Sequence, residues 1–148
     1  MLLEIRATPL GVRYALGQIT SMLTQEKVEA EALGTTELIL AEVLNNVVEH
    51  AYADADEVGV ISIRVCRLPT SLFCEIVDFG AGMPDGKLPE GRAPDITDDL
   101  DGLPEGGFGW SLILGLTEDL RYERQDNQNR LNFRIALPAD TPLAEARG

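Results

Sequence analysis

The chain has 148 residues, enough for one ordinary domain with a single core. Apolar residues make up 45% and charged residues 25%, which is the balance of a folded globule rather than of a disordered or membrane-spanning chain. With 25 acidic against 12 basic residues the formal charge is −13, so neither nucleic acid nor an anionic membrane is an expected partner, and a basic protein face suits the chain better.

Leu2 to Ala7 has strand character, and Pro9 permits a helix to begin. From Val12 to Val28, the apolar positions Val12, Ala15, Leu16, Ile19, Met22 and Leu23 recur at three and four residues, the period of an amphipathic helix. Gly34, Thr35 and Thr36 interrupt that pattern and offer hydroxyl caps, so a second helix is predicted from Leu38 to Ala51. That helix carries Glu42, Asn45, Asn46, Glu49 and the only histidine, His50, within an apolar run. Glu42 and Asn46 are i and i+4, with Asn45 at i+3 and Glu49 at i+7, so all four fall within one side of the helix. Polar groups buried without partners cost about 1 to 3 kcal/mol each, so a stripe of them invites a metal ion, a nucleotide or water. His50 is read as structural.

Val58 to Arg67 alternates as a strand, Leu68 to Ser71 forms a turn, and Leu72 to Val77 returns as a more deeply buried strand. The spacing of Cys66 and Cys74 is centred on Thr70, so the two could face each other across this hairpin; two reduced, packed thiols are expected. Asp78, Gly80 and Gly82 follow. An ionised carboxylate here could accept from an exocyclic amine, with the glycines admitting a flat ring, or it could simply form a turn. Met83 to Gly106 holds four prolines, four glycines and seven acidic residues and is predicted to be a long loop, either a lid or a solvated insertion. Gly106, Gly107, Phe108 and Gly109 precede a helix from Trp110 to Leu116, where free first-turn amides could cradle phosphate or the glycines could serve packing alone. Leu120 to Arg124 and Asn129 to Leu137 form a last strand pair, and the segment 141–148 is expected to be a flexible tail.

Neither a Walker A loop nor a G-x-G-x-x-G turn fits: Gly82 and Gly86 have three residues between them, and no hydroxyl follows Lys87. A carboxamide oxygen such as that of Asn46 suits Mg²⁺, and Glu42 one turn away could activate a hydroxyl for attack on a phosphoryl group; a buried cap or inter-helix link is the alternative for each. The order Glu42-x-x-x-Asn46, Asp78-x-Gly80-x-Gly82, then Gly107-x-Gly109 before a helix resembles the GHKL, or Bergerat-fold, ATPases. Together with His50-Ala51-Tyr52 and Gly106 to Gly109, it is most similar to the small anti-sigma factor serine kinases, over about residues 5 to 137.

This resemblance implies one histidine kinase-like ATPase domain over residues 1–140, an α/β two-layer sandwich whose mixed, mostly antiparallel sheet carries helices on one face. It implies ATP and Mg²⁺, with Glu42 as catalytic base, Asn46 as magnesium ligand, Asp78 as acceptor of the adenine amine, Gly80 and Gly82 along the adenine, and Gly107, Phe108 and Gly109 at the phosphates. It further implies a sigma factor and an anti-sigma-factor antagonist as partners, the antagonist being phosphorylated on serine; a homodimer is compatible with it. A non-enzymatic regulator that sequesters its partner is the alternative. A sensor histidine kinase domain would need a phosphoacceptor histidine, for which His50 alone is present. One departure concerns charge: Leu103, Pro104 and Glu105 stand where some relatives carry a cation, and Lys87 and Arg92 are the only cations of the predicted lid. No signal segment or apolar span is found, so a cytoplasmic protein is expected.

Overall fold

The computed structural model describes residues 1–88 and 107–138. Most of the predicted lid, including Arg92, Leu103, Pro104, Glu105 and Gly106, lies outside the described residues, as do the tail at 141–148 and the Phe108 side chain.

Strand β1 (Leu2–Arg6) leads into helix α1 (Pro9–Gln25). The helix starts earlier than its apolar period suggests because Thr8 caps it: its Oγ1 accepts from the Gly11 amide at 3.0 Å, and Pro9 occupies the first turn, where a missing N–H costs nothing. Val12, Ala15, Ile19 and Leu23 form its buried stripe. The break between the first two helices falls at Glu26–Glu29, where Lys27 adopts a left-handed φ of 61°, and not at Gly34. Helix α2 (Ala30–Asn46) runs straight through Gly34, which is exposed, and the Thr36 hydroxyl donates to the Ala32 carbonyl within the helix at 2.7 Å instead of capping an end. Glycine inside a helix costs up to about 1 kcal/mol, a penalty outweighed here by burial of Ile39, Leu40, Val43 and Leu44. After Asn46 the helix widens into a single π turn, Val47–Ala51.

Strands β2 (Val60–Arg67), β3 (Ser71–Asp78), β4 (Glu118–Gln125) and β5 (Gln128–Ala136) complete a sheet of order β1-β2-β3-β5-β4, and helix α3 (Gly107–Leu116) precedes β4. All four pairings are antiparallel, which sharpens the expected mixed sheet. The register builds the core in rows that cross the sheet. One row is Val65, Cys74 and Phe133; the next is Ile63, Ile76, Leu131 and Tyr122; the last is Ile5, Ile61, Asp78, Asn129 and Arg124. The first two are apolar and packed beneath the helices, apart from the hydroxyl of Tyr122, whereas the third turns polar halfway along. The opposite face carries Arg64, Glu75, Arg130 and Arg134 and lies open or half-buried.

The register also corrects the cysteine reading. Cys66 pairs with Phe73 and Cys74 with Val65, so the two thiols sit on opposite faces of the sheet and do not face each other. Both are free, and burial pushes the Cys74 thiol up to about 12. Mild oxidation of the folded protein should therefore leave no bond between them: both thiols should remain reactive once the protein is denatured, and an intramolecular disulfide found by mass spectrometry would contradict the register. Among the described residues, no helix is long and apolar enough to cross a membrane.

Candidate functional site

Asp78 closes β3 on the core side of the sheet and is only 4% exposed. An ionised carboxylate so placed must receive hydrogen bonds, and it does: the Gly80 amide donates to Oδ1 at 2.9 Å and the Asn129 Nδ2 donates to the same oxygen at 2.8 Å. Both donors fall on Oδ1, so Oδ2 accepts from no described residue and keeps its lone pairs for another donor. Burial pushes the Asp78 carboxyl above the usual carboxylate range, opposed by the bonds from Asn129 and Gly80 and by the charge of Arg124.

The segment after Asp78 is fastened to the end of α2. The Ala81 amide donates to the Ala51 carbonyl at 2.7 Å, and a side chain at Gly80 would run into that carbonyl, so only glycine allows the approach. The Tyr52 hydroxyl donates to the Val60 carbonyl at 2.7 Å and accepts from the Phe79 amide at 2.8 Å. A methyl at Gly82 would lie 2.7 Å from Cδ of Arg124, which crosses from β4 to bond the Gly80 carbonyl at 3.0 Å.

One turn before the end of α2, Glu42 meets α3. A methyl at Gly109 would lie 2.5 Å from Glu42 Oε2, so the carboxylate rests against the first turn of α3. Trp110 and Ile113 bury α3 in the core and hold that turn in place. Gly107, Phe108 and Gly109 belong to the first turn itself rather than preceding it, so their amides are among those a helix leaves unpaired at its start. Asn46, one turn beyond Glu42, is half-buried, and its Nδ2 has no hydrogen-bond partner among the described residues. Of the remaining polar stripe, Asn45, Glu49 and His50 are exposed, so the stripe divides: Glu42 and Asn46 turn inward, the others face water.

The Asn46 carboxamide and the Glu42 carboxylate fit a magnesium ion. Mg²⁺ takes hard oxygen donors, often one or two from the protein with the rest from water and phosphate, and with its Nδ2 unpartnered among the described residues the half-buried Asn46 carboxamide is free to turn its oxygen to such an ion. Among the described residues there is no cluster of three or more His, Cys, Asp or Glu side chains. Sequence reasoning gave Tyr52 no role beyond the resemblance and missed Tyr122, Arg124 and Asn129. The available signal was Asn129, a poor strand former at an inward position.

Residues 5–135 match the model of the histidine kinase-like ATPase domain, and the chain belongs to that family. The chain is 28% identical over 132 residues to the serine/threonine-protein kinase BtrW of Bordetella bronchiseptica, covering 88% of this chain and 89% of that protein. Among solved structures, the RsbU and RsbW domains of Rv1364c from Mycobacterium tuberculosis superpose with a TM-score of 0.59 over 94% of this chain at 15% identity, a likeness of fold. The blue-light activated histidine kinase of Erythrobacter litoralis EL346 gives a TM-score of 0.51 at 26% identity over 74% of this chain. The chain spans 34% and 32% of the lengths of those two structures.

The buried carboxylate has a measurable cost. Because its native pKa lies above the unfolded one, Asp78 favours folding most at pH values below its ordinary pKa of 3.8, and this contribution is lost as pH rises through the raised native value. Asp78→Asn keeps an oxygen for both donors and removes the charge, so at neutral pH the unliganded variant should melt at the same temperature or higher; a clearly lower melting temperature would contradict this account.

Proposed function

We propose that the chain is a Mg²⁺-dependent, ATP-using serine/threonine protein kinase that regulates a sigma factor in the cytoplasm by phosphorylating its anti-sigma-factor antagonist. The observation that carries the reading is the Glu42 carboxylate resting against Gly109 in the first turn of α3. A carboxylate beside a helix start is favoured by the helix dipole, and at a turn that also attracts phosphate it is well placed to meet a hydroxyl arriving at a phosphoryl group.

In this reading, adenine donates its exocyclic amine to Asp78 Oδ2, Gly80 and Gly82 line the ring, and the first-turn amides of Gly107, Phe108 and Gly109 take the phosphates. Glu42 accepts the proton of the substrate serine as its Oγ attacks the γ-phosphorus; the bond from phosphorus to the β–γ bridging oxygen breaks, and ADP leaves with that electron pair. When bound, magnesium neutralises charge on the β- and γ-phosphate oxygens, with Asn46 as the residue that would hold it. The relative named as a serine/threonine-protein kinase and the structural likeness to an RsbW domain support the assignment, and the net charge of −13 suits a basic partner surface.

With the cognate antagonist, ATP and Mg²⁺, the protein should transfer phosphate to serine, and Glu42→Gln should lower the rate by about a hundredfold or more while leaving ATP binding in place. Wild-type protein that regulates its partner without transfer, with Glu42→Gln behaving identically, would establish the non-enzymatic alternative instead. ATP should raise the melting temperature more with Mg²⁺ than without it, and Asn46→Ala should abolish that difference; an undiminished magnesium response in the variant would remove Asn46 from its role.

A further inference from the structure

The last polar row of the sheet places Asp78, Asn129 and Arg124 side by side on β3, β5 and β4. A carboxamide has an accepting end and a donating end, and which end meets Asp78 decides whether the acid is stabilised or repelled. Here the choice is forced. Asn129 Oδ1 accepts from the Tyr122 hydroxyl at 2.6 Å and from Arg124 Nη1 at 2.8 Å, so the oxygen is committed on the β4 side. Nδ2 must then face β3, where it donates to Asp78 Oδ1 at 2.8 Å and to the Ala81 carbonyl at 2.9 Å. The Tyr122 hydroxyl, having donated to Asn129, accepts from the Met83 amide at 3.0 Å. The segment Phe79 to Met83 is thus wrapped around one buried amide.

We propose that Asn129 is a positioning and specificity-determining residue for the nucleotide base, oriented by Tyr122 and Arg124 so that Asp78 presents a single free oxygen to an exocyclic amine. This rests on the reading of Asp78 as the adenine acceptor. By occupying Oδ1, Asn129 fixes the carboxylate plane and leaves Oδ2 directed at the ligand. It also favours the ionised acid, which accepts from the amine of adenine and repels the carbonyl that guanine carries at the corresponding position. The charged and titratable groups turned toward Asp78 are Arg124 on β4 and Tyr52 at the end of the π turn, with Tyr122 behind Asn129; Arg124 favours the ionised acid, as Asn129 does, and burial, aided by the charge of Asp78, pushes the Tyr52 phenol up.

The test titrates ATP and GTP, each with Mg²⁺, into the wild type, Asn129→Leu, Tyr122→Phe and Asp78→Asn, from neutral to weakly acidic pH. Asn129→Leu should weaken ATP binding about tenfold, as expected for one lost hydrogen bond to a charged group, lower the preference for ATP over GTP, and move the acid limb of ATP binding toward neutral pH. Tyr122→Phe keeps the ring in place, so it reports even if Asn129→Leu fails to fold; it should shift all three quantities in the same direction by a smaller factor, about threefold. Wild-type affinity, base preference and pH profile in a folded Asn129→Leu, or in Tyr122→Phe where only that variant folds, would overturn the proposal while leaving Asp78 as acceptor. Unchanged ATP binding and base preference in Asp78→Asn would overturn the acceptor reading itself, and the proposal with it.

Discussion

A carboxylate buried at the end of a central strand is the constraint around which this molecule is arranged. Asp78 is placed by the same alternation that buries Leu72, Cys74 and Ile76, so it cannot turn to solvent without flipping the whole strand. Its charge has to be met where it lies, and the neighbouring strands meet it: Asn129 from β5, Arg124 behind it on β4, and the Gly80 amide from the loop. The sheet is therefore apolar over most of its inner face and polar along one edge row, and that row points toward the end of α2. Desolvation of the acid opposes folding, a cost that the proposed recognition of a base by the uncommitted Oδ2 would explain.

Glycine supplies the second requirement, close approach. Gly80 lets the loop after β3 touch the Ala51 carbonyl, and Gly109 lets α3 come against the Glu42 carboxylate, so α2 is joined to the sheet at its C-terminal end and to α3 along its middle. The π turn after Asn46 lies between these two contacts and delivers the Ala51 carbonyl and the Tyr52 hydroxyl to the loop. In the proposed function, helix, loop and glycine-rich turn line one site, with Asp78 as acceptor for a base at one end and the first-turn amides of α3 beside Glu42 at the other.

Much of this was legible in the sequence for physical reasons. The alternation of Ile61, Ile63 and Val65, the helical stripe from Val12 to Leu23, and the paired positions of Glu42 and Asn46 depend only on local periodicity. What could not be read depends on register and on long-range contact. Gly34 looks like a break but sits on an exposed helix face, where glycine is tolerated, while Lys27 makes the actual turn with no distinctive side chain. The facing of Cys66 and Cys74 rested on a hairpin centred on Thr70, whereas the true one is centred between Pro69 and Thr70, which shifts the pairing by one residue. Asn129, Tyr122 and Arg124 come together only because β4 and β5 pair around the turn at Asp126 and Asn127, both of which have a left-handed φ, and because β5 then lies against β3.

In the proposed binding mode, one nucleotide spans the site from Asp78 to Gly109. This is tested most directly by following backbone and side-chain amide resonances of isotopically labelled protein as Mg²⁺ and ATP are added. The Gly80 and Gly82 amides and the Asn129 side chain should shift together with the Gly109 amide and the Asn46 side chain, along a single binding curve. Shifts confined to one end of the site, or to the open face of the sheet around Arg64 and Arg134, would contradict it.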